Sequence, residues 1–183
     1  MTVDTMLWRR MDSPGHDSCR LVATTQGWLL SGTAVFRHQS GPARLEYAVR
    51  VNRAWRTRSA RVDGWVGNRQ VRTRVRRVGS SWEIDGLSAA PGPECVDLDL
   101  GFTPATNILQ LRRMALAVGK AAKVPVAWWD VASKGLEVLA QRYERRTITT
   151  YWYEAPRFDF AELLTVNSAG FVVEYPGIWV AEG

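Results

Sequence analysis

Alternation with a period of two constrains this chain more than any other feature. Between positions 44 and 52, Leu45, Tyr47, Val49 and Val51 share one parity, while Arg44, Glu46, Ala48, Arg50 and Asn52 share the other. Side chains on a strand leave it on opposite faces in turn, so this pattern describes a strand with one buried side. The same period returns in 69–78, where Val71, Thr73 and Val75 oppose Gln70, Arg72, Arg74 and Arg76. Trp28, Leu30, Ala34 and Phe36 place another strand at 27–38, and Gly32 within it suggests a bend or bulge.

Further strands are expected at 5–11, 18–25, 54–65, 81–86 and 95–100. Turn chemistry separates them at Ser13-Pro14-Gly15, Ser40-Gly41-Pro42, Gly79-Ser80 and Pro91-Gly92-Pro93. After Phe102 the pattern changes: Thr103 is placed to cap a helix that starts at Pro104 and runs through Ile108, Leu109, Leu111 and Met114. The stretch 115–146 fits either a helical stripe or strands, and strands are the preferred reading. Sheet resumes in ITTYWYEA, FDFAELLTVN and GFVVEYPGIWV, with a hairpin-type turn at 167–170. The expected fold is therefore mainly β, an antiparallel sheet system with one or two short helices. It is expected to form a single domain over residues 1–183, because no linker, repeat or low-complexity tract divides the chain.

The chain is long enough to bury a core without disulfides or metal. Cys19 and Cys95 show no paired spacing and read as buried thiols. No apolar run approaches the roughly 20 residues of a membrane span and no signal-peptide pattern opens the sequence, so a cytoplasmic location is expected. Nine Trp, five Tyr and five Phe suit either a thick sheet core, the commoner use, or the wall of a pocket for an apolar or sugar-bearing ligand. Residues 44–77 hold eleven Arg against Glu46 and Asp63, a local charge of +9 in a chain whose net charge is +6. A solvated outer face is the first explanation of this Arg-rich band, and binding of nucleic acid or an anionic surface is the second.

The residues with chemical potential concentrate in Cys95 to Met114. Asp97 and Asp99 lie two apart and would leave a strand on one face. They could serve acid–base chemistry on a sugar or lipid head group, but bonding to a neighbouring Arg or to helix N–H groups is the simpler role. Thr103, Thr106 and Asn107 can cap backbone or meet ligand hydroxyls. Adjacent Arg112 and Arg113 cannot share a face, so at most one of them turns inward toward Asp97 or Asp99 while the other is exposed. Asp97, Asp99, Thr103, Thr106 and Arg113 are read as a polar latch tying the strand to the helix. His16 and His38 lack the partners of a catalytic triad, and no His/Cys spacing resembles a zinc site. No catalytic residue, metal or cofactor is expected, and no Gly-rich phosphate loop is present.

The run DLDLGFTPATNILQLRR resembles the acidic strand, TP-x-TN turn and Arg-Arg pair of a bacterial family named putative glycolipid-binding. Trp55-Arg56-Thr57-Arg58, Gln141-Arg142-Tyr143-Glu144-Arg145 and the closing stretch from Gly170 to Trp179 resemble further blocks of it in the same order. The resemblance implies a single highly curved antiparallel sheet (half-barrel or β-roll), similar to bacterial lipoprotein carriers, which hold acyl chains against the concave face. It implies a glycolipid or similar amphiphile as partner. Tyr47, Trp55, Trp128, Tyr143, Trp152, Tyr175 and Trp179 would supply wall or sugar-stacking surface, and Arg58, Asn107 and Arg112 would meet head-group oxygens.

Overall fold

A computed structural model describes residues 3–183. Eight strands follow one another first: β1 (Val3–Arg10), β2 (Gly15–Thr24), β3 (Gly27–His38), β4 (Gly41–Asn52), β5 (Thr57–Val66), β6 (Arg69–Val78), β7 (Ser81–Ile84) and β8 (Leu87–Ser88). The short strand β9 (Leu98–Leu100) and the helix α1 (Asn107–Met114) occupy the middle of the chain. Then come β10 (Ala121–Lys123), β11 (Val126–Trp129), β12 (Glu137–Leu139), β13 (Arg142–Arg145) and β14 (Thr150–Ala155). A 3-10 turn at Pro156–Phe158 precedes β15 (Phe160–Val166), β16 (Val172–Tyr175) and β17 (Trp179–Ala181).

Fourteen strands form one antiparallel sheet in the order β10-β13-β14-β15-β16-β17-β1-β2-β3-β4-β5-β6-β7-β8. The sheet is curved and does not close, since β10 and β8 stand at opposite edges. The two halves of the chain join where β1 pairs with β17, Trp8 opposite Ala181. The fold is thus mainly β, as the alternation predicts, and open and curved, as the resemblance implies.

The inner face is set by the alternating positions. Leu45, Tyr47, Val49 and Val51 on β4 are buried, as are Val71, Thr73 and Val75 on β6, while the arginines between them are exposed. This inner face is covered by the central segment, because Leu98, Leu100, Phe102, Ile108 and Leu109 join the same core cluster as Leu30, Leu45 and Val62. A second cluster gathers Tyr143, Tyr151, Tyr153, Leu164 and Val172 beneath Leu111 and Val126. Strands β12, β11 and β9 make a small separate sheet, in which β9 runs parallel to β11 and is buried along its whole length. Burial on both faces is the usual condition of a parallel pair.

Four local expectations change. Strand β5 starts at Thr57 rather than 54, because the Asn52 side chain accepts the amides of Ala54 and Arg56 and Trp55 adopts a left-handed backbone at φ 60°. Gly32 is neither bend nor bulge: it pairs regularly with Cys19 on β2 and Tyr47 on β4. It lacks a side chain so that the Tyr47 ring can lie over it, where a Cβ would come within 2.5 Å of the Ser18 carbonyl oxygen. The buried strand predicted at 95–100 is confined to β9. Helix α1 begins three residues later than Pro104, with Thr106 at its N-cap and no side-chain cap bond. Both candidate capping hydroxyls are engaged elsewhere, as described below.

In 115–146 the strand reading holds, through β10 to β13. The turn at 167–170 closes with Gly170 N–H donating to the Asn167 carbonyl oxygen at 3.0 Å. Cys19 and Cys95 are free and buried. No helix among the described residues is long and apolar enough to cross a membrane.

Candidate functional site

The polar residues of the central segment are held in three adjoining networks. The first pairs Asp97 with Arg113, whose Nε lies 2.9 and 3.0 Å from the two carboxylate oxygens and whose Nη2 lies 2.7 Å from Oδ2. Asp97 is fully buried, and burial raises its carboxyl pKa while the Arg113 guanidinium holds it down. Arg113 is thus the inward member of the Arg pair. Arg112 points away, its guanidinium 5.7 Å from the ring centre of Trp55, which itself stacks on Trp28.

The second network centres on Asp99. Thr106 donates to its Oδ1 at 2.9 Å, and Gln141 Nε2 donates to its Oδ2 at 2.6 Å. Thr106 Oγ1 also accepts the Leu100 N–H, which turns it toward β9 rather than toward the first N–H groups of α1. Tyr143 and Asn107 complete the layer, with Asn107 Nδ2 donating to Tyr143 Oη at 2.9 Å. Burial pushes the Asp99 carboxyl up to about 6; the Thr106 and Gln141 bonds oppose this, and the negative charge of Asp130 adds to it.

The third network lies on the other side of Thr103. Its hydroxyl donates to Asp17 and accepts the Ala105 N–H, which is why it too does not cap the helix. Tyr47 Oη donates to the same carboxylate at 2.9 Å. Asp17 is completely buried with no cation beside it among the described residues, and burial pushes its carboxyl up to about 7 against the bonds from Thr103 and Tyr47. Asp17 is an important residue that the sequence reading passed over. Its inward parity with Cys19 and Leu21 was the available signal.

The second and third networks reach the floor of a cavity of about 440 Å³ between the end of β9, β11 and the strands β14 to β17. Asp99, Thr103 and Asn107 line it, with Asp130, Arg10 and Asp12 beside them. Six aromatic side chains complete the wall: Trp128, Tyr153, Phe158, Phe160, Tyr175 and Trp179. Tyr153, Phe160 and Tyr175 form a mutual cluster with ring centres 5.1 to 6.0 Å apart, and Trp128 packs on Phe158 at 5.6 Å. Gly101 opens the rim, since a Cβ there would stand 2.6 Å from Asp130 Oδ2 and 2.8 Å from Trp128 Nε1.

Of the ten residues that the resemblance offers for ligand contact, Asn107, Trp128, Tyr175 and Trp179 line this cavity. Tyr143 and Tyr47 sit behind the lining, bonded to Asn107 and Asp17. Trp55 and Arg112 lie together elsewhere, and Arg58 is exposed on β5. Trp152 donates to Glu154 at 2.9 Å and does not line the cavity. Phe158, Phe160, Asp130 and Arg10 are lining residues that the sequence reading did not single out.

In the Arg-rich band, Arg61, Arg72, Arg74 and Arg76 share the exposed outer face of β5 and β6, with Arg61 opposite Arg74 and Arg72 opposite Asp63, and several arginines of the band already have partners. Arg44 pairs with Glu46, and Arg74 pairs with Asp63 at 2.9 Å. Arg53 and Arg69 donate to the carbonyl oxygens of Thr25 and Val131. Among the described residues no three His, Cys, Asp or Glu side chains converge as metal ligands.

No curated protein matches the chain. Its fold is similar to that of a solved structure from Pseudomonas aeruginosa, a protein of the DUF1089 family. The TM-score is 0.79 at 24% identity, over 93% of each chain. Residues 5–181 match the family described as "Putative glycolipid-binding", and the chain therefore belongs to that family.

Proposed function

We propose that the protein binds a glycolipid or a similar amphiphile in the cavity between β9, β11 and β14 to β17. One observation carries this reading: six aromatic side chains and a compact set of polar groups, Asp99, Asn107 and Asp130 among them, face the same space of about 440 Å³. That volume lies within the roughly 300–1,000 Å³ of small-molecule sites, and the mixture of apolar wall with a few fixed polar groups is their usual chemistry. Aromatic faces pack against both acyl chains and the C–H faces of sugars, while carboxylates and amides bind hydroxyls. The family name points the same way.

The ligand would be held at one end of the sheet rather than along its whole inner face. Leu98, Leu100, Phe102, Ile108 and Leu109 already fill the space over β3 to β6. The reading is one of binding without chemistry. Asp97 and Asp99 do not act as a catalytic pair in it, because Asp97 is engaged by Arg113 while Asp99 alone lines the cavity.

Titration calorimetry of delipidated protein with an alkyl glycoside, the free sugar and the matching alkanol tests this. Saturable binding is expected to be strongest for the glycoside. Absence of heat and of any thermal shift across a panel of alkyl glycosides and lipids would overturn the reading.

A further inference from the structure

The charges around the cavity are unequally compensated. Arg10 is paired with Asp12 at 2.7 and 3.0 Å, and its guanidinium lies between the rings of Phe36 and Trp179. Arg157, at the mouth, lies 4.8 Å from the Trp128 ring centre and is paired with Glu137 at 2.6 Å. Both cations near the wall therefore already have a carboxylate partner. Asp99 and Asp130 line the cavity with no cationic partner among the described residues.

Asp99 accepts one neutral donor on each oxygen, which leaves further lone pairs for a ligand. Asn107 is only 4% exposed, uses its N–H on Tyr143 and lines the same space, while no described residue donates to its Oδ1. The floor thus presents acceptors, two of them charged. The wall opposite contributes Tyr153, Phe160 and Tyr175, none of which has an Arg or Lys over its ring among the described residues. Aromatic faces beside carboxylates in a desolvated pocket are complementary to an organic cation: the ring quadrupoles attract it and the carboxylates neutralise it. A bare metal ion is a poor match, since no three ligating side chains converge.

Resting on the proposed amphiphile site, we infer that the head group taken by this cavity carries an ammonium, as in an amino-sugar glycolipid, held by Asp99, Asp130 and Asn107 against the Tyr153–Phe160–Tyr175 cluster. An ammonium brings donors without acceptors, which is what this floor lacks.

The test compares octyl glucoside with its glucosaminide analogue, in which an ammonium replaces one hydroxyl, and with the anionic octyl glucuronide, by calorimetry near pH 7. The glucosaminide is expected to bind at least about tenfold more tightly than the glucoside, and the glucuronide more weakly than either. Asp130→Asn, at a half-buried rim position, is expected to shrink the ratio of glucosaminide to glucoside affinity by removing one of the two charges; Asp99→Asn provides a second, deeper variant. Equal affinities for the first two compounds would overturn the ammonium inference and leave amphiphile binding standing. A preference undiminished in both variants would also overturn it. Failure of all three compounds to bind would overturn both readings.

Discussion

The hydroxyl of Tyr47 lies 2.9 and 3.1 Å from the two oxygens of Asp17 and donates to them from across Gly32. Thr103, 86 residues further along the chain, donates to the same carboxylate from the rim of the cavity. A buried carboxylate served only by neutral donors ties the inner face of β2 and β4 to the segment that precedes α1.

This relationship gives stability a defined pH dependence. Burial raises the Asp17 carboxyl from 3.8 to about 7, and that of Asp99 to about 6. Because each native pKa lies above the unfolded one, the folded state binds these protons more tightly. The stabilising contribution is complete below the unfolded value and is lost as pH rises through the native one. At roughly 1.4 kcal/mol per pKa unit, the Asp17 effect is on the order of 4 kcal/mol at most. The urea midpoint is therefore expected to fall between about pH 4 and pH 7, and Asp17→Asn to reduce that fall, most completely above pH 6. A wild-type midpoint that rises over this interval would contradict the assignment.

Gly32→Ala is expected to destabilise the protein by roughly 1–3 kcal/mol. The added Cβ would meet the Tyr47 hydroxyl and the backbone oxygen of Ser18 at 2.5 Å, and backbone inside a sheet cannot move aside cheaply. Thermal denaturation reads the loss directly. Pairing the change with Tyr47→Phe should give a non-additive result, because part of the clash is with the hydroxyl itself.

Arg112 and Arg113 are neighbours with opposite consequences. Truncating Arg113 leaves the Asp97 carboxylate, fully buried, without its cation, and about 3–5 kcal/mol of stability should be lost. Truncating Arg112 removes a cation–π contact to a half-buried Trp55 and should cost about 0.5–1 kcal/mol. Guanidinium denaturation of Arg113→Ala and Arg112→Ala distinguishes them, and equal losses would refute the division of roles.

Much of the sheet was legible because burial there is periodic. Leu45 to Val51 and Val71 to Val75 announce which side faces inward, and the period fixes every side chain between them. Asp17 was not legible: one polar residue on an inward parity looks like the approach to a turn, and its partners Tyr47 and Thr103 are distant in sequence. The late helix start was hidden for the same reason, since Thr103 and Thr106 carry good capping side chains whose hydroxyls are claimed by Asp17 and Asp99. The cavity wall was only partly legible. Trp55 and Trp128 look alike in sequence, yet one stacks on Trp28 and the other faces the cavity. Nothing local records which strands the fold brings together.

Gly101 offers a way to change the cavity without changing the core. It is an exposed residue following β9, and its backbone does not require the left-handed region. A methyl group there would meet Asp130 Oδ2 at 2.6 Å and the Trp128 ring at 2.8 and 3.0 Å. Both neighbours are side-chain ends that are only half-buried, so they can yield, and the space into which they yield includes the cavity. Gly101→Ala is therefore expected to change unfolding free energy by less than about 1 kcal/mol, as at other surface sites. Affinity for an alkyl glycoside should nevertheless fall about tenfold, because the ligand must compete with the displaced Trp128 and Asp130. Calorimetric titration beside a denaturation curve separates the two effects. Unchanged affinity with the indole displaced, as monitored by tryptophan fluorescence, would place the ligand outside this cavity.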